Sequence, residues 1–140
     1  YFLRYPGVSA YIQKQIEEAR TLGYVTTILG RRRSIPEIKN KNQGIRQFAE
    51  RQAVNTPVQG SASDLIKLAM VRIAQDFKEK KLQSHMTMQI HDELVLDVPS
   101  EEMEECVACI RERMETVIAL NVPIRVSIQK GKNWEEMEDV

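Results

Sequence analysis

The residues best suited to chemistry stand in one string, Met86-Thr87-Met88-Gln89-Ile90-His91-Asp92-Glu93-Leu94-Val95-Leu96-Asp97-Val98. Apolar alternation runs into it, stops at His91-Asp92-Glu93 and then resumes, which is the pattern of two short strands around a tight turn. A two-residue turn would fall on Asp92-Glu93, although such turns favour Asn-Gly or Asp-Gly because they need positive φ. Two adjacent acids also repel, and local misfits of this kind are expected where function outranks stability. Paired carboxylates at a hairpin tip suit Mg²⁺, which keeps several waters and takes one or two protein carboxylates plus substrate phosphate oxygens. The same pair also fits a solvated acidic turn, where Asp is common.

Other metal chemistries fit less well. A His-Asp doublet of a metal phosphohydrolase requires several further histidines, and the chain has only His85 besides His91. Cys106 and Cys109 form a single C-x-x-C, and zinc wants a second pair of ligands. The two cysteines sit inside a helical pattern in which Met103, Cys106, Val107, Ile110, Met114 and Val117 share a face. Cys106 is therefore read as a small core residue, with Cys109 at the edge of that face.

The elements that must carry the acidic string follow from periodicity and punctuation. Pro6-Gly7 opens a helix to about Leu22, with a stop at Gly23. Tyr24 to Pro36 reads as a hairpin turning near Leu29-Gly30-Arg31, followed by a polar loop to Asn42. A helix covers about Gln43 to Val54, and Pro57 ends it or marks the next start. Ser61 to Lys80 is the clearest helix, with Ala62, Leu65, Ile66, Ala69, Met70, Ile73, Ala74 and Phe77 on one face. Ser61 and Asp64 are spaced as a capping box. After the acidic hairpin, Pro99-Ser100 starts a helix to about Leu120. Ile124, Val126 and Ile128 alternate with polar residues as a half-buried strand, and Trp134 anchors an acidic tail. Helices mixed with antiparallel strands give an α+β class, a small antiparallel sheet covered by helices on one face.

The chain has 140 residues, enough for one ordinary domain, with 42% apolar and 29% charged residues. That balance excludes collagen, a disulfide mini-protein and a bulk disordered tail. No run of 18 apolar residues offers a membrane span, and no signal segment opens the chain, so a reduced cytoplasmic setting is expected. Net charge is zero, but Leu29–Arg51 holds seven Lys or Arg against Glu37 and Glu50, a net of +5. Ser100–Ile118 carries −4. A local basic block is what a phosphate backbone needs, and it is also what a solvated face looks like.

Gln89-Ile90-His91-Asp92-Glu93 between apolar strands resembles motif C of the family A DNA polymerases, the bacterial DNA polymerase I type. Tyr1-Phe2-Leu3-Arg4-Tyr5-Pro6-Gly7-Val8 resembles that family's segment after the nucleotide-holding fingers helix. Gly23-Tyr24-Val25-Thr26-Thr27 with Gly30-Arg31-Arg32 resembles its next hairpin. Ala49-Glu50-Arg51-Gln52-Ala53-Val54-Asn55-Thr56-Pro57-Val58-Gln59-Gly60 resembles its Glu-Arg…Asn-x-Pro-x-Gln-Gly segment, and Asn133-Trp134 an Asn-Trp near its C-terminus. The likeness covers nearly the whole chain in the family's order.

The resemblance implies an antiparallel palm-type sheet with a motif C hairpin, covered by helices, plus N-terminal helices and a hairpin from the fingers region. Residues 1–56 would be the C-terminal part of the fingers and 57–140 that of the palm. It implies transfer of deoxynucleotides from deoxynucleoside triphosphates to a primer 3′-hydroxyl, with two Mg²⁺ ions for which Mn²⁺ substitutes. Asp92 would be a metal-ligating catalytic residue and Glu93 its supporting acid. Arg51, Asn55, Gln59 and His91 would touch primer–template DNA, where every base pair presents minor-groove acceptors. Read without the family, Arg51 also fits a surface ion pair, Asn55 a helix C-cap, Gln59 a turn and His91 a structural hairpin residue. The motif A aspartate and the fingers helix are not in the chain, so it is expected to be inactive alone and to need the remainder of a longer polymerase in the bacterial cytoplasm. The alternative is a non-catalytic nucleic-acid-binding module on a palm-like scaffold.

Overall fold

The computed structural model describes residues 4–140, so the Tyr1-Phe2-Leu3 opening lies outside the described residues. The described residues form two compact units that divide between Asp64 and Leu65. The elements are α1 (Pro6–Leu22), β1 (Tyr24–Thr26), β2 (Arg32–Ser34), α2 (Gln43–Lys80), β3 (His85–Ile90), β4 (Glu93–Asp97), α3 (Met103–Glu115), β5 (Gln129–Lys130) and β6 (Glu138–Asp139). The class is α+β as expected, but the strands form three separate antiparallel pairs, β1–β2, β3–β4 and β5–β6.

In the first unit, α1 stops where the sequence says it should. Gly23 takes φ +78°, and its N–H donates to the Ala19 carbonyl at 2.8 Å, an ending that favours glycine. Ala19, Val25, Ile35, Ile38, Ala49 and Ala53 form the core. The β1–β2 turn lies against α2. The Ile28 N–H donates to the Ser61 hydroxyl at 2.8 Å, and Arg31 donates to the Gly60 carbonyl at 3.0 Å. Arg31 also pairs with Asp64 at 2.7 Å. Gly60 makes the approach possible, since a Cβ there would meet Thr27 Cγ2 at 2.7 Å.

The expected break at Pro57 does not occur. α2 is one helix of 38 residues with Pro57 inside it. A mid-helix proline removes a hydrogen bond and costs about 3 kcal/mol in isolation. Here the flanking residues are committed to tertiary contacts: Ala53 is fully buried, and Ser61 donates its hydroxyl to the Pro57 carbonyl while receiving the β1–β2 turn. Ser61 and Asp64 are therefore not a capping box but two attachment points for that turn. Asn55 and Gln59 likewise stand mid-helix, which removes the C-cap and turn readings.

In the second unit, Ile73 and Phe77 of α2 pack with Cys106, Cys109 and Ile110 of α3, and Met86, Leu94, Leu96 and Ile128 lie against them. The buried stripe of α2 is narrower than its apolar pattern, because Ala62 and Ala74 are exposed. Cys109 is buried rather than at the edge, and its thiol donates to Asp76 at 3.3 Å. α3 ends at Glu115 and not near Leu120. The Thr116 hydroxyl donates back to the Glu112 carbonyl, and Arg72 donates to the Val117 carbonyl at 2.8 Å, so the chain turns and buries Val117.

Two expectations about the tail are corrected. Residues 124–128 keep the alternation, with Ile124, Val126 and Ile128 half-buried and Arg125 and Ser127 exposed, yet they are not a strand. A strand needs a neighbour for its ladder. Here the Val126 N–H donates to the Glu115 carboxylate and its carbonyl accepts from Arg111. Trp134 is 61% exposed and is not part of a buried core cluster among the described residues.

Candidate active site

The β3–β4 ribbon places the acids. Ile90 pairs with Glu93, so the two-residue turn is His91-Asp92 and not Asp92-Glu93. His91 takes φ +54° and Asp92 does not have positive φ, the sign pattern of a II′ turn. Glycine is the usual first residue of such a turn, while His is among the few other residues enriched in left-handed backbone. The Gln89 side-chain amide donates to the His91 carbonyl at 2.5 Å and ties the turn to β3. Thr87 bulges out of β3 between Met86 and Met88, and its hydroxyl donates to the Val95 carbonyl at 3.1 Å. A bulge bends and twists its strand, so it re-aims the outer half of the ribbon.

Asp92 and Glu93 are both exposed. Neither side chain takes part in a hydrogen bond or ion pair among the described residues, so the Asp92 carboxylate oxygens are uncommitted hard donors. That is the donor chemistry Mg²⁺ selects, and a single carboxylate with waters and phosphate oxygens is within its habit. Among the described residues no three His, Cys, Asp or Glu side chains gather as a metal cluster. The tip therefore fits as one contributor of a ligand and not as a complete cage.

In the first unit, Arg51, Asn55 and Gln59 are exposed and spaced four residues apart along α2. One face of the helix thus carries three hydrogen-bond donors at steps of about 6 Å. None of the three side chains is spent on a hydrogen bond among the described residues. The Arg51 guanidinium lies 5.8 Å from the Phe48 ring centroid. Gln59 also borders a cleft of about 290 Å³ lined with Thr27, Arg31, Arg32, Arg33, Thr56 and Gly60. The cleft joins the basic block to the Gln59 face, a grouping that spacing along the chain does not reveal. Its signal was present in the run of three arginines after Gly30. Arg31 is already held by Asp64, and Arg32 lies 4.8 Å from the Tyr24 ring, whereas Arg33 has no such partner among the described residues.

A family described as DNA polymerase family A matches residues 1–136. DNA polymerase I of Bacillus caldotenax is 46% identical over 134 residues, which are 96% of this chain and 15% of that protein. DNA polymerase I of Mycobacterium leprae (strain TN) is also 46% identical over 134 residues, again 15% of its length. A solved structure described as the POL domain of Pol1 from M. smegmatis in complex with DNA primer-template and dNTP is similar at a TM-score of 0.94. Its sequence is 42% identical, and the match covers 96% of this chain and 24% of that one. The chain thus spans about 15% of the length of the curated relatives it matches.

Proposed function

The chain belongs to DNA polymerase family A, and from that premise we propose that it contributes the second metal-ligating aspartate, Asp92, to template-directed addition of deoxynucleotides to a primer 3′-hydroxyl. The observation that carries this reading is the exposed, uncommitted Asp92 carboxylate on a turn whose shape is stabilised by Gln89 and by the β3–β4 register. Bound Mg²⁺, with Mn²⁺ able to substitute, would supply activation of the primer hydroxyl and neutralisation of charge on the leaving oxygens. Asp92 would hold one such ion, and Glu93, first residue of β4, would add negative charge beside it.

The remaining residues bind and orient rather than react. Arg51, Asn55, Gln59 and His91 would face primer–template DNA near the primer end. Purine N3 and pyrimidine O2 accept hydrogen bonds in every correct pair, so donors from Gln59 and His91 test pair shape without reading sequence. Arg51 would hold phosphate as a fork-shaped cation. This is positioning and electrostatics, which is how proteins assist phosphoryl transfer generally. Residues 1–56 would serve as the C-terminal part of the fingers and 57–140 as that of the palm. The reaction would need the rest of a polymerase, so the 140 residues alone would not extend a primer. A cytoplasmic, nucleoid-associated setting goes with that role.

The test is a chimera in which residues 1–136 replace the matching segment of the Bacillus caldotenax polymerase. The chimera is expected to extend a primer on a template, and the isolated chain is expected to give no product. A folded chimera that binds primer–template without extending it would instead support a non-catalytic binding module.

A further inference from the structure

Glu102 occupies the last position of a 3₁₀ turn, Ser100–Glu102, immediately before α3. One carboxylate oxygen accepts the Gln83 N–H at 2.9 Å. The other accepts both the Ser84 N–H at 2.9 Å and the Ser84 hydroxyl at 2.5 Å. Ser84 is 5% exposed, and its hydroxyl accepts the Cys106 thiol at 3.1 Å. Ser84 directly precedes β3, and the 3₁₀ turn follows β4 after Val98-Pro99. The carboxylate therefore closes a loop of chain that leaves Ser84, runs out along β3, crosses His91-Asp92 and returns along β4.

We propose that Glu102 is a positioning residue for Asp92: by joining the two roots of the β3–β4 ribbon it sets the direction in which the Asp92 turn points. The inference rests on the reading of Asp92 as a metal ligand. The ribbon has two strands and no third one beside it among the described residues, a construction that is marginal by itself. On its outer half Met88 and Ile90 are 46% and 38% exposed, and the packing near the tip rests on Leu94 of β4, so packing aims the tip through one side chain. The tip inherits its direction from the root. β3 has six residues and is about 20 Å long, so a rotation of about 5° at the root moves the tip by about 2 Å. A misplacement of about 1 Å can cost roughly a hundredfold in rate.

The choice of residue matches the task. Three donors converge on two oxygens, and only a carboxylate offers acceptors alone. Glutamine has the same shape, but one of its two ends is a donor and would face a Ser84 or Gln83 donor. Glu102→Gln is therefore a test that changes chemistry at constant volume.

The experiment uses the ¹⁵N-labelled 140-residue chain with Mn²⁺ as probe. In the wild type, dilute Mn²⁺ is expected to broaden the Asp92 and Glu93 amide signals first. In Glu102→Gln, amide exchange across the β3–β4 ladder is expected to accelerate by about tenfold or more, with exchange in the middle of α3 changed by less than about twofold. Residual dipolar couplings of Ile90–Leu94 are expected to shrink relative to those of α3, which a uniform loss of stability would not produce. Unchanged couplings at the tip, or the same acceleration in α3 as in the ribbon, would overturn the positioning role. If Glu102→Gln does not fold, Ser84→Ala removes one of the three donors to Glu102, together with the acceptor of the Cys106 thiol. It should shift the tip couplings in the same direction, and an unmoved tip would again overturn the role. Wild-type chain with no Mn²⁺ response at Asp92 would overturn the metal reading and the positioning role together. A normal Mn²⁺ response with an unmoved tip would overturn the positioning role alone.

Discussion

Arg113 grips Asp76 at two points, Nε to Oδ2 at 2.6 Å and Nη2 to Oδ1 at 3.1 Å, and so ties α3 to α2. Only 15% of the Asp76 side chain is exposed. The paired guanidinium holds the Asp76 carboxyl below its usual range, with the Cys109 thiol as a weaker donor. Burial, then the hydrogen bond to Asp76 and its charge, push the Cys109 thiol up to about 11. Cys109 is therefore a protonated structural thiol and not a nucleophile.

Acid should weaken the second unit first. Asp76 and Glu102 both have carboxyls held below their ordinary range, Asp76 chiefly by Arg113 and Glu102 chiefly by the Gln83 N–H. The unfolded chain therefore takes up protons before the folded one does, and stability rises with pH through that window. The contribution is fully present above about pH 5 and is lost as pH falls below about 4 toward the folded values. Urea midpoints measured between pH 7 and pH 3 should fall in the wild type. They should fall less in Asp76→Asn, which starts lower by about 2 kcal/mol.

Gly60→Ala should destabilise the first unit by about 1–3 kcal/mol, because its Cβ would press on Thr27 Cγ2 and push the β1–β2 turn off α2. Thr27→Ser removes that methyl and should restore part of the loss. Equal and additive losses in a double-mutant cycle would show that the two residues do not meet.

His91→Gly should relieve left-handed strain and raise stability by about 0.5–1 kcal/mol in thermal unfolding. If the imidazole touches DNA, the same substitution should weaken primer binding by the chimera. A stabilised protein with unaltered primer affinity would leave His91 a turn residue only.

Gln59→Ala lies on an exposed helical position where alanine is at least as good a helix former, so folding should be unaffected. Extension by the chimera should slow at matched primer ends, and the ratio of matched to mismatched extension should fall. Unchanged ratios would contradict the minor-groove role.

Much of this architecture is legible in the sequence because local and tertiary preferences agree. α1 begins at Pro6 and ends before Gly23, and the two hairpins lie where alternation and Gly30 or the acidic break indicate. The failures occur where they disagree. Pro57 reads locally as a boundary, but Ala53 and Ser61 are held by the core and by the β1–β2 turn, and the helix runs through. The acidic turn is displaced by one residue because His91, not Asp92, accepts positive φ. Residues 124–128 show a strand's face alternation, yet their backbone bonds to α3 side chains, which no alternation discloses. The candidate site divides the same way: the acids are visible as a break in pattern, whereas the Glu102 clamp joins residues 18 apart that share no motif.

The Asp92 carboxylate is proposed above as a ligand of the catalytic divalent ion. The most direct test of that role is single-turnover primer extension by the chimera carrying Asp92→Asn, which keeps shape and removes the anionic donor. The expected rate is lower by about a hundredfold or more, a loss of at least about 2.7 kcal/mol of transition-state stabilisation, with primer–template affinity changed by less than about threefold. A rate within about tenfold of the unsubstituted chimera would contradict that role.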